Sequence, residues 1–584
     1  MSYFCLDIEN NQFLPKSLKM HKQANTQILK QSFQELYPDS SLDILNNFIA
    51  ELDQQKTAIT AVKQEDWYKD AIVYSLYVDL FNVDFTGLGQ KLDYLQNLGV
   101  SCLWLLPILD SPMKDAGFDI KDYQKIRPEL FRLPDAASAK DQKEKFTAFI
   151  AQAHSKGMKV IFDIAMNHSS IDHPWFKESR KGPNNPYRDY YIWNNDDKKY
   201  QEARLLFKGM CPSNWEKDGE YYFFHRFFEF QPDLNYRNPK VLIAMSQNLA
   251  FWLAQGVDGF RADAIPYIWK EEGTDCENLP KTHTVVRFFR AVTEYLRPGT
   301  LMLAEACQKP QDVVDYIKTG DECQAAYHFP LMPQMFKAIS MQSSQPVRNA
   351  LSPSVTPEIP QSAQWFTFLR CHDELSLELV YVNEEDRAYI HKNYCHKPQW
   401  DFRVGEGISA RLSELFQQDI RKIQLAYSLM LTLPGTPVIY YGDEFGKGND
   451  ETFYKEMTAL SGKDDTRFLV RGKMDWAFIE KQIADPKNFE AQIYHGLSNM
   501  LQTRNKYKSF GRGEIHWQEI ENNSLLVYKR LYENEEILIV QNLSEKEIQF
   551  KYAGQLPSKD LLGQEINRNK EGLLLSPYTY HWIN

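Results

Sequence analysis

The sequence predicts a large α/β domain closed into a (β/α)8 barrel. Two observations carry that expectation: short apolar runs alternate with amphipathic segments along most of the chain, and eight such runs can be counted. A third concerns the tail, where β-branched and polar residues alternate without intervening helices, as in SLLVYKRLY and EILIVQNLS. That pattern predicts a small antiparallel β-domain behind the barrel.

In chain order, residues 1–65 show helical spacing without strand signals, in runs from Leu18 to Tyr37 and from Leu42 to Leu52, with Pro38, Asp39 and Ser40 breaking between them. They are read as a helical extension. The barrel is expected over 66–509, with strands at IVYSLYV from Ile72, SCLWLLP from Ser101, KVIFDIA from Lys159 and VDGFRAD from Val257. The remaining four are LMLAEA from Leu301, QAAYHFP from Gln324, WFTFLR from Trp365 and PVIYYGDE from Pro437. Two connections are long: a polar, aromatic insertion at 169–237 after the third strand and a charged one at 377–415 after the seventh. Both fall where a barrel places the loops that cover its substrate. Residues 510–584 form the expected β-domain.

Composition limits the ligand. A chain of 584 residues, 43% hydrophobic and with a formal charge of -11, is folded rather than disordered and has no basic footprint for nucleic acid. The eight cysteines (5, 102, 211, 276, 307, 323, 371 and 395) have no C-x-x-C spacing, and reduced thiols are expected. With no signal-like N-terminus and no apolar run near about 18 residues, a cytoplasmic protein without membrane association is expected. The oligomeric state stays open.

Polar residues at the C-terminal ends of barrel strands converge on one pocket. Four runs carry them: Asp163 to His168 after the third strand, Gly259 to Asp263 in the fourth, Ala304 to Ala306 in the fifth and Arg370 to Asp373 in the seventh. These segments, DIAMNH, GFRADA, LAEA and LRCHDE, are similar to the four signature segments of the α-amylase superfamily, glycoside hydrolase family 13, and occur in its order. The resemblance implies retaining chemistry at an α-glucoside, with Asp263 as nucleophile, Glu305 as acid/base and Asp373 as the third carboxylate. Such chemistry needs one carboxylate to attack the anomeric carbon and a second carboxyl group to protonate the departing oxygen. Arg261, two residues before Asp263 on the same strand, shares its side and can hold it ionised. His168 and His372 match the histidines that hydrogen-bond the same sugar.

The resemblance also supplies a far wall. Asp115 to Phe118 looks like the D-x-G-Y element of exo-acting members, with Phe118 in place of the usual tyrosine, and Arg471 aligns with an arginine beside it. Asp115 and Arg471 are therefore expected to pair and close the pocket. Cys371 stands where asparagine is common.

QPDLN at 231–235, the opening WYKDAIVYSLYV and GTDCENLPKTH resemble the trehalose synthase branch of the family, which isomerises maltose to trehalose by glucosyl transfer. The N-terminal extension, DDTRFLVRGKMDW and QIYHGLSNMLQTRNK look more like amylosucrases. The expected function is transfer of single glucosyl units from a short α-glucoside such as maltose, sucrose, trehalose or isomaltose. Hydrolytic α-glucosidase, sucrose transglucosylase and an inactive sugar-binding homologue are the alternatives. The complete set Arg261, Asp263, Glu305, His372 and Asp373 argues against the last.

No cofactor is required by this chemistry. The loop after the first strand, FNVDFTGLGQ, lacks the acidic calcium pattern of relatives, while Asn167 and Asp233 leave a second calcium site conceivable but unassigned. The aromatics of the first insertion (Trp175, Phe176, Tyr187, Tyr190, Tyr191, Trp193, Phe223, Phe224, Phe227 and Phe228) either enclose the acceptor side or form the insertion's own core.

Overall fold

The computed structural model describes residues 16–56, 66–132, 139–207, 209–552 and 554–584. Each of the eight expected runs contains a strand: β1 (Val73–Leu76), β2 (Cys102–Leu105), β3 (Lys159–Ala165), β4 (Gly259–Asp263), β5 (Leu301–Ala304), β6 (Ala325–Tyr327), β7 (Gln364–Phe368) and β8 (Thr436–Tyr440). All pairings are parallel, each strand joins its neighbours in sequence, and β1 also pairs with β8, so the ring closes. This is the TIM barrel the alternation predicts.

Burial on both faces explains why these strands read as nearly continuous apolar runs. β4 is the exception in composition: all five residues of Gly-Phe-Arg-Ala-Asp are buried, two of them charged. Gly259 starts it because a Cβ there would lie 2.4 Å from the Leu301 carbonyl oxygen of β5. The close approach fixes the register of β4 against β5 (Leu303 opposite Arg261, Ala304 opposite Ala262), so Glu305 emerges beside Asp263. On its other side β4 sets Asp163 opposite Arg261 and Ala165 opposite Asp263.

Helices α1 (Lys16–Leu36) and α2 (Asp43–Lys56) are separated where Pro38 breaks the pattern. Leu29, Phe33, Leu45, Phe48 and Leu52 join the main core, α1 against the barrel helix Pro280–Leu296, and Tyr37 Oη donates to the Tyr236 carbonyl at 2.7 Å. Residues 1–15 and 57–65 of the expected extension lie outside the described residues. At the other end, Glu514–Trp517, Leu525–Tyr532, Glu535–Asn542 and Tyr580–Ile583 form a four-stranded antiparallel sheet. One face packs on a three-stranded sheet through Val527, Val540, Leu573 and Leu575, and the other joins the barrel core through Tyr528, Ile539 and Trp582.

The first insertion carries a three-stranded sheet (Trp193–Asn194, Tyr221–Phe224, Trp215–Asp218). Its aromatics mostly pack on one another: Phe176 contacts Tyr191, Trp193 and Phe223, and Trp215 contacts Phe224. The second insertion holds the helix Glu384–Tyr394 and a small sheet whose hairpin turn lies at 403–406. Among the described residues no helix is long and apolar enough to cross a membrane, and all seven described cysteines are free thiols.

Candidate active site

Arg261 organises the strand ends. Its inward position on β4 is dictated by the two-residue period it shares with Asp263, and one guanidinium nitrogen, Nη1, contacts both Asp263 Oδ1 and, at 2.8 Å, Asp163 Oδ1. Nη2 lies 3.5 Å from Glu305 Oε1. Asp163 is held in turn by the Trp104 indole N–H at 2.7 Å. After Asp263 the chain turns through Ala264 at φ 58°, which aims the Ala264 N–H at Glu305 Oε2, 2.9 Å away.

The two carboxyl groups thus share a guanidinium but not equally. Burial raises both above the ordinary carboxylate range, and Arg261 opposes it in each case. Asp263 has the direct ion pair; Glu305 has the longer contact and one backbone N–H, and it is raised to about 7. The direct ion pair favours the ionised form of Asp263 while Glu305 keeps its proton to about 7, an arrangement suited to an ionised nucleophile beside a protonated acid.

Asp373 follows β7 through Leu369, Arg370, Cys371 and His372. Arg370 anchors the turn by donating to the carbonyls of Ala410 at 2.7 Å and Asp373 at 2.6 Å. Burial opposes ionisation of Asp373, but His372 at 3.1 Å, Arg467 at 3.2 Å and Arg471 at 3.1 Å outweigh it and hold the carboxyl below its ordinary range. His372 itself is pushed down to about 3 by burial, so it meets Asp373 as a neutral imidazole and the two guanidiniums supply the countercharge. Phe118 stacks on the His372 ring at 5.4 Å and 21°. The turn before it, with Ala116 at φ 49° and Gly117 at φ 98°, is fixed by Asp119, which accepts from Ser111 Oγ and the N–H groups of Lys114 and Asp115.

The far wall differs from expectation in its arginine. Asp115 pairs with Arg467 Nη2 at 3.3 Å and accepts from Gln231 Nε2 at 3.0 Å. Arg471 sits behind, donating to the His372 carbonyl at 2.9 Å and to Asp373. The reason is local: Thr466–Val470 form a 3₁₀ turn capped by Asp465, whose carboxylate also grips Arg467 and steers it to the cavity. His168, on the segment leaving β3, faces Gln231 at 3.3 Å and is lowered to about 4 by burial.

Asp115, Phe118, His168, Arg261, Asp263, Glu305, His372, Asp373 and Arg467 line one cavity of about 130 Å³, with Phe227, Glu374, Glu378 and Arg403 among its other walls; Arg471 lies behind that lining. Of the ten insertion aromatics read from the sequence, Phe227 alone lines it; the others belong mainly to the insertion's own packing. Gln231, Arg467, Glu374, Glu378 and Arg403 were not singled out as site residues. Gln231 stands in the QPDLN run, and Glu374 adjoins Asp373, but nothing local marks Arg403.

The second calcium position does not fit calcium. Asn167 Oδ1 and Asp233 Oδ2 each lie 2.6 Å from the buried Lys270 ammonium, so the oxygens already face a protein cation. The remaining compact donor group among the described residues, Cys371, His372 and Asp373, has its carboxylate taken by two arginines.

The catalytic-domain model of α-amylases matches residues 27–499. The chain is 38% identical over 516 residues to the trehalose synthase/amylase TreS of Mycobacterium tuberculosis, covering 82% of each chain. It is 37% identical to the trehalose synthase of Pimelobacter sp., covering 89% of this chain and 96% of that one. With the trehalose synthase of Thermus thermophilus identity is 41%, over 82% of this chain and half of the relative. Among solved structures, an inactive double mutant of the trehalulose synthase MutB in complex with isomaltulose shares the fold at a TM-score of 0.68, with 22% identity over 88% of this chain and 99% of that one. A family model that spans most of the chain, relatives near 40% identity and a closed barrel with this strand order agree: the chain belongs to the α-amylase family of glycosidases and transglucosylases.

Proposed function

We propose that this enzyme transfers single glucosyl units within or between short α-glucosides through a glucosyl ester on Asp263, with maltose to trehalose as its main reaction. The observation that carries the reading is the cavity in which Asp263 and Glu305 share Arg261 while Asp115 and Arg467 pair in its wall, as a closed non-reducing end requires. The relatives near 40% identity are trehalose synthases by name, which supports trehalose as the product.

In the first step Glu305, protonated up to about pH 7, gives its proton to the glycosidic oxygen as Asp263 attacks the anomeric carbon; the C–O bond to the departing glucose breaks and an acylal ester forms. In the second, the Glu305 carboxylate takes the proton of the anomeric hydroxyl of glucose, whose oxygen displaces Asp263 and yields trehalose with retention. Asp373, His372 and His168 hold the hydroxyls of the ring as it flattens, and Phe118 covers its face. No step requires a metal.

Separate incubation of the purified protein with maltose, sucrose, trehalose and isomaltose, with products separated by chromatography, tests the reading. Interconversion of maltose and trehalose is expected. Turnover of sucrose alone would move the enzyme to the sucrose-using branch, and turnover of all four to glucose only would make it a hydrolase.

A further inference from the structure

Outside the glucosyl half of the site one carboxylate gathers loops from several strands. Glu277, in the segment after β4, is almost wholly buried and lines no part of the cavity. Its Oε1 accepts from Arg204 Nε at 2.9 Å and from Arg226 Nη2 at 2.5 Å, both in the insertion after β3, and its Oε2 accepts from Gln308 Nε2 at 2.5 Å, just beyond Cys307 at the end of β5. Arg204 continues outward to Glu378 Oε2 at 3.4 Å, where Arg403 of the second insertion also binds, at 3.0 Å to Oε1. Arg403 donates in addition to the Leu206 carbonyl, so the two insertions meet over the cavity mouth.

The backbone at Glu277 is committed to this geometry. Its neighbours Cys276 and Asn278 both hold left-handed conformations, at φ 58° and 51°, fixed by Thr274 on one side and by the Pro266 carbonyl and Tyr316 on the other. Non-glycine residues kept in that region are over-determined by their surroundings and cluster where a side chain must be aimed.

We propose that Glu277 is the positioning residue of the leaving-group side, setting how often the glucosyl intermediate meets a sugar hydroxyl rather than water. Removing its charge leaves Arg204 and Arg226 adjacent and undercompensated; Arg204 then turns to solvent, Glu378 loses one of its two arginines, and the seam between the insertions opens to water. Glu277 itself hydrogen-bonds none of Asp115, Phe118, His168, His372, Asp373 and Arg467; the nearest tie runs through the Arg226 N–H to Asp233, which bridges to His168, so recognition of the transferred glucose should change far less than the partition.

The inference rests on the transferase reading, and the experiment separates the two. Wild type, Glu277→Gln, Glu277→Asp and Gln308→Leu are given maltose, and the ratio of free glucose to transfer product is measured with KM for α-glucosyl fluoride, whose leaving group is too small to reach the insertions. The ratio does not depend on how much protein is folded. Glu277→Gln should raise it about tenfold, the cost of one lost charge-assisted hydrogen bond. Gln308→Leu, which cuts one tie without stranding a charge, should raise it in the same direction, and Glu277→Asp should restore part of it, with KM within about twofold throughout. Unchanged ratios in Glu277→Gln and Gln308→Leu overturn the positioning role, as does a KM rising by the same factor as the ratio. Wild type that forms only glucose overturns the transferase reading itself.

Discussion

At the scale of single residues the proposed division of labour between Asp263 and Glu305 rests on how each meets Arg261. Because burial raises Glu305 to about 7, it is protonated below that value and loses its proton above it. The sign for catalysis follows: kcat/KM with a poor leaving group should fall tenfold per pH unit above about 7, and Glu305→Gln should abolish that limb while sparing the first step on an aryl glucoside, whose leaving group needs little protonation. A basic limb that survives in Glu305→Gln would assign it to another group. Asp263→Asn should lower kcat by at least about 10³-fold with the fold intact, since a neutral amide cannot form the ester. Residual activity within tenfold of wild type would remove Asp263 from the nucleophile role. Arg261 was legible from the two-residue period it shares with Asp263, and His168 and Asp373 from strand-end segments that resemble the family's signatures. The choice between Arg467 and Arg471 was not, because the two are four residues apart across a 3₁₀ turn and only Asp465 decides which reaches Asp115. A double-mutant cycle should therefore give Asp115 and Arg467 a coupling above about 1 kcal/mol in kcat/KM and Asp115 and Arg471 one below about 0.5 kcal/mol. The reverse order would restore the pairing read from the sequence.

At the scale of elements, the segment leaving β3, the first insertion and the loop after β4 are pinned by Lys270 between Asn167 and Asp233. Lys270→Met should destabilise the protein by about 3–5 kcal/mol, because Asp233 is left buried without its countercharge. Chelator treatment of the wild type should change neither unfolding midpoint nor activity; a fall in both that calcium reverses would show that the ammonium does not replace the metal. The sequence located Asn167 and Asp233 but not Lys270, since a lysine some hundred positions from Asn167 carries no mark of its partner. The insertion's aromatics show the same limit. Composition announces a packed cluster, yet Trp193 against Phe176 and Phe227 against the cavity differ only in the tertiary contacts they meet.

For the whole molecule, the barrel was readable because buried parallel strands leave continuous apolar runs and amphipathic helices separate them, eight times over. The cross-connections are what the sequence withheld: Asp115 pairs with Arg467 in the cavity wall, and Arg403 with Arg204 ties the two insertions together. A cavity closed behind the transferred glucose admits a chain only by its non-reducing end, so soluble starch should lose terminal glucosyl units without a ladder of mid-length products. A mouth covered by both insertions keeps the departed glucose beside the intermediate at an effective concentration above that of bulk sugar. The most direct measurement is a time course with maltose in water, following trehalose, isomaltose and glucose together. We expect trehalose to accumulate as the main product from the first turnovers with a smaller share of free glucose; stoichiometric release of glucose with no transfer product, even at high maltose, would contradict it.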